Sequence, residues 1–135
     1  MSSSNSCSYC SSDPESHSFY CHQSSLNQIN VYKTIVAKAK LYDKPDTIIH
    51  HIEHDALLNR SLHWEWIIDM TNAKFRHYMA FNTVRQLSKW INREKTNKCK
   101  NLKRIIIIDN HPILMSPLIS LGKLFLPKHV NITRK

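Results

Sequence analysis

The sequence predicts an α/β fold, a mainly parallel sheet with covering helices, and three observations point to it. Trp64-Glu65-Trp66-Ile67-Ile68-Asp69-Met70 is a nearly unbroken β-branched and aromatic run, as expected of a strand covered on both faces. Lys103-Arg104-Ile105-Ile106-Ile107-Ile108-Asp109 sets four consecutive isoleucines between charges, the strongest strand signal in the chain and one that implies a central position. Between the two, Phe75, Tyr78, Met79, Val84, Leu87, Trp90 and Ile91 recur mostly at three- and four-residue steps among Lys, Arg, Gln and Asn, the pattern of an amphipathic helix over about 73–94. A connection of that length permits a right-handed parallel crossover, so residues 64–70 and 104–109 are expected to be adjacent parallel strands.

The remaining elements follow in chain order. Residues 1–26 are nearly half serine and hold no Lys or Arg, too little apolar surface to offset the entropy of ordering. A disordered tail is therefore expected over 1–27, with the folded domain over 28–135. Val31 to Leu41 reads as a strand or short helix. Thr47-Ile48-Ile49 reads as a strand after the turn residues Asp43-Lys44-Pro45-Asp46. The polar run Lys95 to Lys100 ends the long helix, a second helix is expected from Ile113 to Phe125, and Val130 to Thr133 closes the chain as a strand. Asp69 and Asp109 fall at strand carboxyl ends, where parallel sheets place their ligands.

Composition removes several function classes. At 135 residues and 15.9 kDa the chain is one domain with a small core. Its single glycine leaves no material for a Gly-rich phosphate loop, a dinucleotide fingerprint or a nucleophile elbow. With no apolar run of about 18 residues and no basic-then-apolar N-terminus, a soluble, cytoplasmic protein is expected. Residues 85–135 hold twelve Lys/Arg against two Asp/Glu, whereas residues 1–84 hold seven against eight, so the whole excess behind the net charge of +9 lies in the C-terminal part. Such asymmetry suits an acidic partner: an anionic membrane, a phosphoinositide or nucleic acid.

Four groupings could carry chemistry. Cys7-Ser8-Tyr9-Cys10 followed by His17, Cys21 and His22 offers thiols and imidazoles for tetrahedral zinc. The spacing fits no established zinc motif, however, and free thiols in a reducing compartment, with no metal or cofactor, are the expectation. His50-His51-Ile52-Glu53-His54 matches the H-x-x-E-H pattern of inverzincin proteases, in which His50 and His54 would share a helix face with Glu53 as general base. A strand there would hold the two histidines too far apart for one ion. His54-Asp55 spells the dipeptide of HD-type phosphohydrolases without an assignable upstream ligand, and exposed loop histidines are expected. Ile108-Asp109 matches the late acidic motif of haloacid-dehalogenase phosphatases, but Asp69-Met70-Thr71 lacks the second Asp their nucleophile motif needs. Cys99 has no paired base. A non-enzymatic protein is expected.

Taken in order, three segments from Trp66 onward resemble the CRAL-TRIO domain, the lipid-binding fold of the phosphatidylinositol transfer protein family. Trp66-Ile67-Ile68-Asp69-Met70-Thr71 is similar to the family's strand ending in Asp-Leu-Ser/Thr/Gly. Leu102 to Pro112 is similar to its Lys-x-Ile-x-Ile-x-Asn-x-Pro strand. Ile113 to Pro127 is similar to the helix after it. The loop before the second of these strands lacks the family's Tyr-Pro-Glu and the chain ends soon after Ile132, so a divergent or shortened domain is expected. The resemblance implies binding of a lipid or other hydrophobic ligand, with the 113–125 helix as a movable gate and Leu114, Met115, Leu118, Leu121 and Phe125 as its apolar stripe. Arg85, Lys89 and Arg93 recur at four-residue steps, and Lys95, Lys98, Lys100, Lys103 and Arg104 continue the charge. Lys98, Lys100, Lys103 and Arg104 are the candidates for a peripheral contact with an anionic membrane, at roughly 1 kcal/mol each near the bilayer. The alternative is a basic adaptor for a protein or a nucleic acid, with no lipid cavity.

Overall fold

The structure, a computed structural model, describes residues 7–23, 29–55, 58, 63–93 and 97–135, apart from the side chains of 97 and 98. The expectations for residues 1–6, 24–28 and Lys95, and for the side chain of Lys98, lie outside the described residues.

Five strands form one sheet in chain order: β1 (Phe19–Gln23), β2 (Ile29–Ile35), β3 (His63–Asp69), β4 (Leu102–Ile108) and β5 (Asn131–Arg134). β1 runs antiparallel to β2, and every later neighbour pair is parallel. The expected pairing of 64–70 with 104–109 is present, with Trp66 opposite Ile105. The α/β class and mainly parallel sheet are thus as the sequence predicts. Between β3 and β4 the register slips: Trp64 faces Leu102 and Glu65 faces Arg104, so Lys103 is the extra residue of a bulge.

Because each parallel strand lies beside the one before it, right-handed crossovers carry their helices to the same side of the sheet. One row across that side is Cys21, Tyr32, Trp66, Ile105 and Ile132. The helices are α1 (Ser8–Ser12), α2 (Pro45–Glu53), α3 (Phe75–Tyr78), α4 (Phe81–Arg93), α5 (Asn97–Lys100) and α6 (Pro112–Phe125), and α2 packs on α4, which packs on α6. The other side of the sheet carries the row Tyr20, Lys33, Ile67, Ile106 and Thr133. Among the described residues, no helix is long and apolar enough to cross a membrane.

Three expectations need correction. Within the stretch expected to be a disordered tail, residues 7–23 form α1, a turn and β1. Phe19 stacks on Tyr32 at 5.0 Å between ring centres and meets Trp66 edge-on at 5.4 Å. Serine content averaged over 26 residues hides this anchor, whose burial is worth about 1.5–3 kcal/mol. Thr47-Ile48-Ile49 is the middle of α2, not a strand. Pro45 in the first turn sets a helical φ, and Ile48 and Ile52, four apart, pack on the core. The 73–94 helix is broken at Met79-Ala80, with the Phe81 amide donating to the Met79 carbonyl at 2.8 Å. No proline or glycine lies there. The break lets α3 bury His77 and Tyr78 while α4 buries Ile91, and it leaves Phe75 and Met79, counted as core by periodicity, exposed.

The two aspartates at strand ends are held by cations. Asp69 pairs with Lys33 at 3.6 Å and also accepts the Thr71 amide, and Asp109, just past β4, pairs with Arg134 at 3.3 Å.

Candidate functional site

Four side chains from three separate segments converge at the β1 end of the molecule. Cys7 caps the N-terminus of α1 and Cys10 lies within that helix, three residues on; His17 precedes β1, and His51 sits on the buried face of α2. Cys7, His17 and His51 are buried and Cys10 is half-buried. One donor atom from each lies within 4.8 Å of the other three. His17 Nδ1 is 3.6 Å from Cys7 Sγ, 3.5 Å from Cys10 Sγ and 3.2 Å from His51 Nδ1, and Cys10 Sγ is 3.3 Å from His51 Nδ1.

Hydrogen bonds outside the cluster fix the proton of His17. The Thr47 hydroxyl donates to the Lys44 carbonyl at 2.7 Å, so its oxygen accepts from His17 Nε2–H at 3.0 Å. His17 is therefore the Nε2–H tautomer, and its bare Nδ1 lone pair faces the two sulfurs and His51. Thr47 and His51 are four residues apart on α2, which puts the orienting hydroxyl and the second imidazole on one helix face. Burial, with the charge of His50 adding to it, pushes the pKa of His17 down to about 4. Burial and the charges of His17 and His50 do the same for His51, also to about 4. Both rings are neutral at pH 7.

The other sequence candidates fall outside this group. Cys21 lies on β1, where burial raises its thiol pKa, and His22 is exposed. α2 does bring the His50 and His54 rings to 4.2 Å, correcting the separation expected from a strand, but His54 Nδ1 is engaged by the His50 carbonyl at 2.9 Å. Neither belongs to the four-donor group. Asp55 is buried and accepts the Leu58 amide at 2.9 Å and the Tyr32 hydroxyl at 3.4 Å, a structural role. Burial first, and the nearby Asp55 charge next, push the Tyr32 phenol well above its usual range. Cys99 is buried.

A cavity of about 150 Å³ lies between the sheet and the helices, walled by Trp66, Ile105 and Ile107 from the strands and by α4 and α6. His17 and His51 line it as well, so the thiol–imidazole cluster borders the cavity. Of the five residues expected on the gate stripe, Met115 and Leu118 line the cavity. Leu114 packs on the core beside it. Leu121 opens instead on a surface hollow with Phe81, Arg85 and Pro117. Phe125 lies beneath Lys89, whose ammonium is 5.1 Å from the ring centre. The face of α6 toward the cavity is Met115, Leu118, Ile119, Gly122 and Leu126, one step round from the expected stripe. The chain's only glycine marks that face: a Cβ at Gly122 would touch the Ile132 Cδ1 at 3.6 Å.

The basic candidates gather where the short helix α5 leads into β4. Lys100 and Lys103 are exposed, Lys103 at the bulge, and Arg104 is tied to Glu65 at 2.8 Å. Compared with known proteins, the chain matches no family model, and no curated protein matches it.

Proposed function

We propose that this chain is a non-enzymatic binding module that takes a hydrophobic ligand into the cavity between its sheet and α6, in the manner of a divergent CRAL-TRIO domain. The observation that carries the reading is the cavity itself. Packed interiors contain few voids larger than a water molecule, and about 150 Å³ of apolar void costs on the order of 3–4 kcal/mol at about 24 cal/mol per Å³. A ligand that fills the space recovers that energy. A volume of this size takes a benzene-sized group or the end of an acyl chain; a whole lipid would need α6 to swing away, the gate role that the resemblance implies. His51 supplies a polar point on the wall: its Nε2 is buried without a hydrogen-bond partner among the described residues. A ligand oxygen placed there would satisfy a group whose isolation costs about 1–3 kcal/mol. Lys100 and Lys103 supply the contact with an anionic surface.

The test is native mass spectrometry of the gently purified protein, with thermal melts in octanoic acid. A co-purifying hydrophobic compound, or a saturable rise in melting temperature, is expected, and Leu118→Phe, which fills the void, should keep the fold and lose both. If neither appears in the parent protein, the reading is wrong. Retention on polyanion columns that is lost when Lys100→Glu and Lys103→Glu are combined, with no ligand ever found, would favour the basic adaptor.

A further inference from the structure

We propose that Cys7, Cys10, His17 and His51 bind one zinc ion as a closed structural site that fastens residues 7–23 to α2. Zinc–sulfur and zinc–nitrogen bonds of about 2.3 and 2.0 Å set tetrahedral S–N edges of about 3.5 Å and N–N edges of about 3.3 Å. The S–N separations here are 3.6, 3.5 and 3.3 Å, and the N–N separation is 3.2 Å. Four of the six edges thus have the lengths a zinc tetrahedron requires, and the other two, from Cys7 to Cys10 and from Cys7 to His51, lie within 4.8 Å.

Hydrogen bonding can join these groups only in pairs. The Nδ1 of His17 has one lone pair and three donor-set neighbours, and it has no proton to give because Nε2 carries it. Only one proton, from a thiol or from His51 Nδ1, can meet it at a time, although three atoms of the set stand 3.2, 3.5 and 3.6 Å away. A divalent cation accepts all four at once. Two thiolates and two neutral imidazoles select zinc over the oxygen-seeking calcium and magnesium. Binding releases the Cys7 and Cys10 thiol protons to solvent, and two thiolates against one Zn²⁺ leave a buried centre of zero net charge. The His17–Thr47 hydrogen bond is the outer-shell contact that orients a metal-bound imidazole. All four corners come from protein and three of the four residues are buried, so the site leaves no open position for substrate. The segment it fastens contributes one large anchor to the core, Phe19.

The experiment is metal analysis of the reduced full chain as purified, with cobalt(II) loading of the metal-stripped protein as a spectroscopic probe. About one zinc per chain is expected, together with the visible bands of tetrahedral, thiolate-bound cobalt. Cys7→Ser and His51→Ala should lose the metal, whereas Cys21→Ser and His54→Gln should keep it and keep the cobalt spectrum. The Cys21 variant separates this site from one that joins the C-x-x-C pair to Cys21 and His22. The His54 variant separates it from the H-x-x-E-H alternative, and neither test requires a damaged protein to fold. A parent protein that takes up neither metal when reduced, or that carries a Cys7–Cys10 disulfide resistant to mild reductant, overturns the proposal. So does loss of zinc on Cys21→Ser.

Discussion

Around Ile105 the neighbours are hydrocarbon and aromatic: Trp66 beside it on β3, Ile132 on β5, and the α6 face above. Around His17 they are two thiols, an imidazole and a threonine hydroxyl. The two regions solve the same problem with different chemistry. The isoleucine-rich half gains stability from area removed from water, which is non-directional and tolerates a void of about 150 Å³. Residues 7–23 are too serine-rich for that and rely on a few directional contacts, in which each group must be placed correctly. A small domain that lacks the apolar residues to cover a sheet edge can hold it with a metal-binding corner instead.

The contrast can be broken from either side. Trp66→Ala should have the largest effect, about 3–5 kcal/mol of unfolding free energy, because it enlarges the cavity and removes the indole N–H that donates to Thr34 at 2.9 Å. Denaturant titration checks it, and the loss should be the same with and without a chelator. Removing zinc should lower stability by about 3 kcal/mol at a hundredfold excess of free ion over its dissociation constant. Hydrogen exchange should localise that loss to residues 7–23 and α2 while β3 and β4 keep their protection. Uniform loss of protection would show that the two regions are one cooperative unit.

Asp69 sharpens the comparison from the strand side. Burial works to raise its pKa, but the Thr71 hydroxyl and amide and the Lys33 ammonium outweigh that and hold it below 3.8. A carboxyl depressed on folding stabilises the protein above its unfolded pKa, and that stability is lost as pH falls through the folded value. Stability should therefore decline as pH falls below the ordinary carboxylate range, and Asp69→Asn should flatten that decline while costing about 1 kcal/mol at neutral pH. An unchanged acid limb would remove Asp69 from the account. Gly122→Ala should have the smallest effect and the opposite sign, a gain of about 0.5–1 kcal/mol. The new methyl meets only ordinary contacts, the nearest at 3.6 Å, so a lower melting temperature would mean that α6 must approach β5 more closely than it does here.

Local patterns read well where the physics is local. β3, β4, α6 and β5 are legible because consecutive β-branched residues and helical spacing report burial within a few positions. The register bulge at Lys103 and the break at Met79-Ala80 depend on packing against other elements, and no short window contains them. The cluster is half legible. Cys7, Cys10 and His17 stand close enough in sequence to be considered together, but the fourth corner is 34 residues beyond His17. His51 is hidden inside a motif whose metal positions are its neighbours, His50 and His54. Recognising Pro45 as a helix start, with Ile48 and Ile52 marking the inner face, would have placed Thr47 and His51 on one side of α2 and His50 and His54 away from it.

The strand order has a consequence for synthesis. Each strand after the first pairs with the one made immediately before it, so the sheet can grow in the order in which the ribosome delivers it. All four cluster residues, and both strands of the antiparallel pair β1–β2, lie before residue 52, ahead of the first residue of β3. The corner that is poorest in hydrocarbon is thus the first that can be completed, and it can present a formed edge, β2, to the aromatic strand that emerges next.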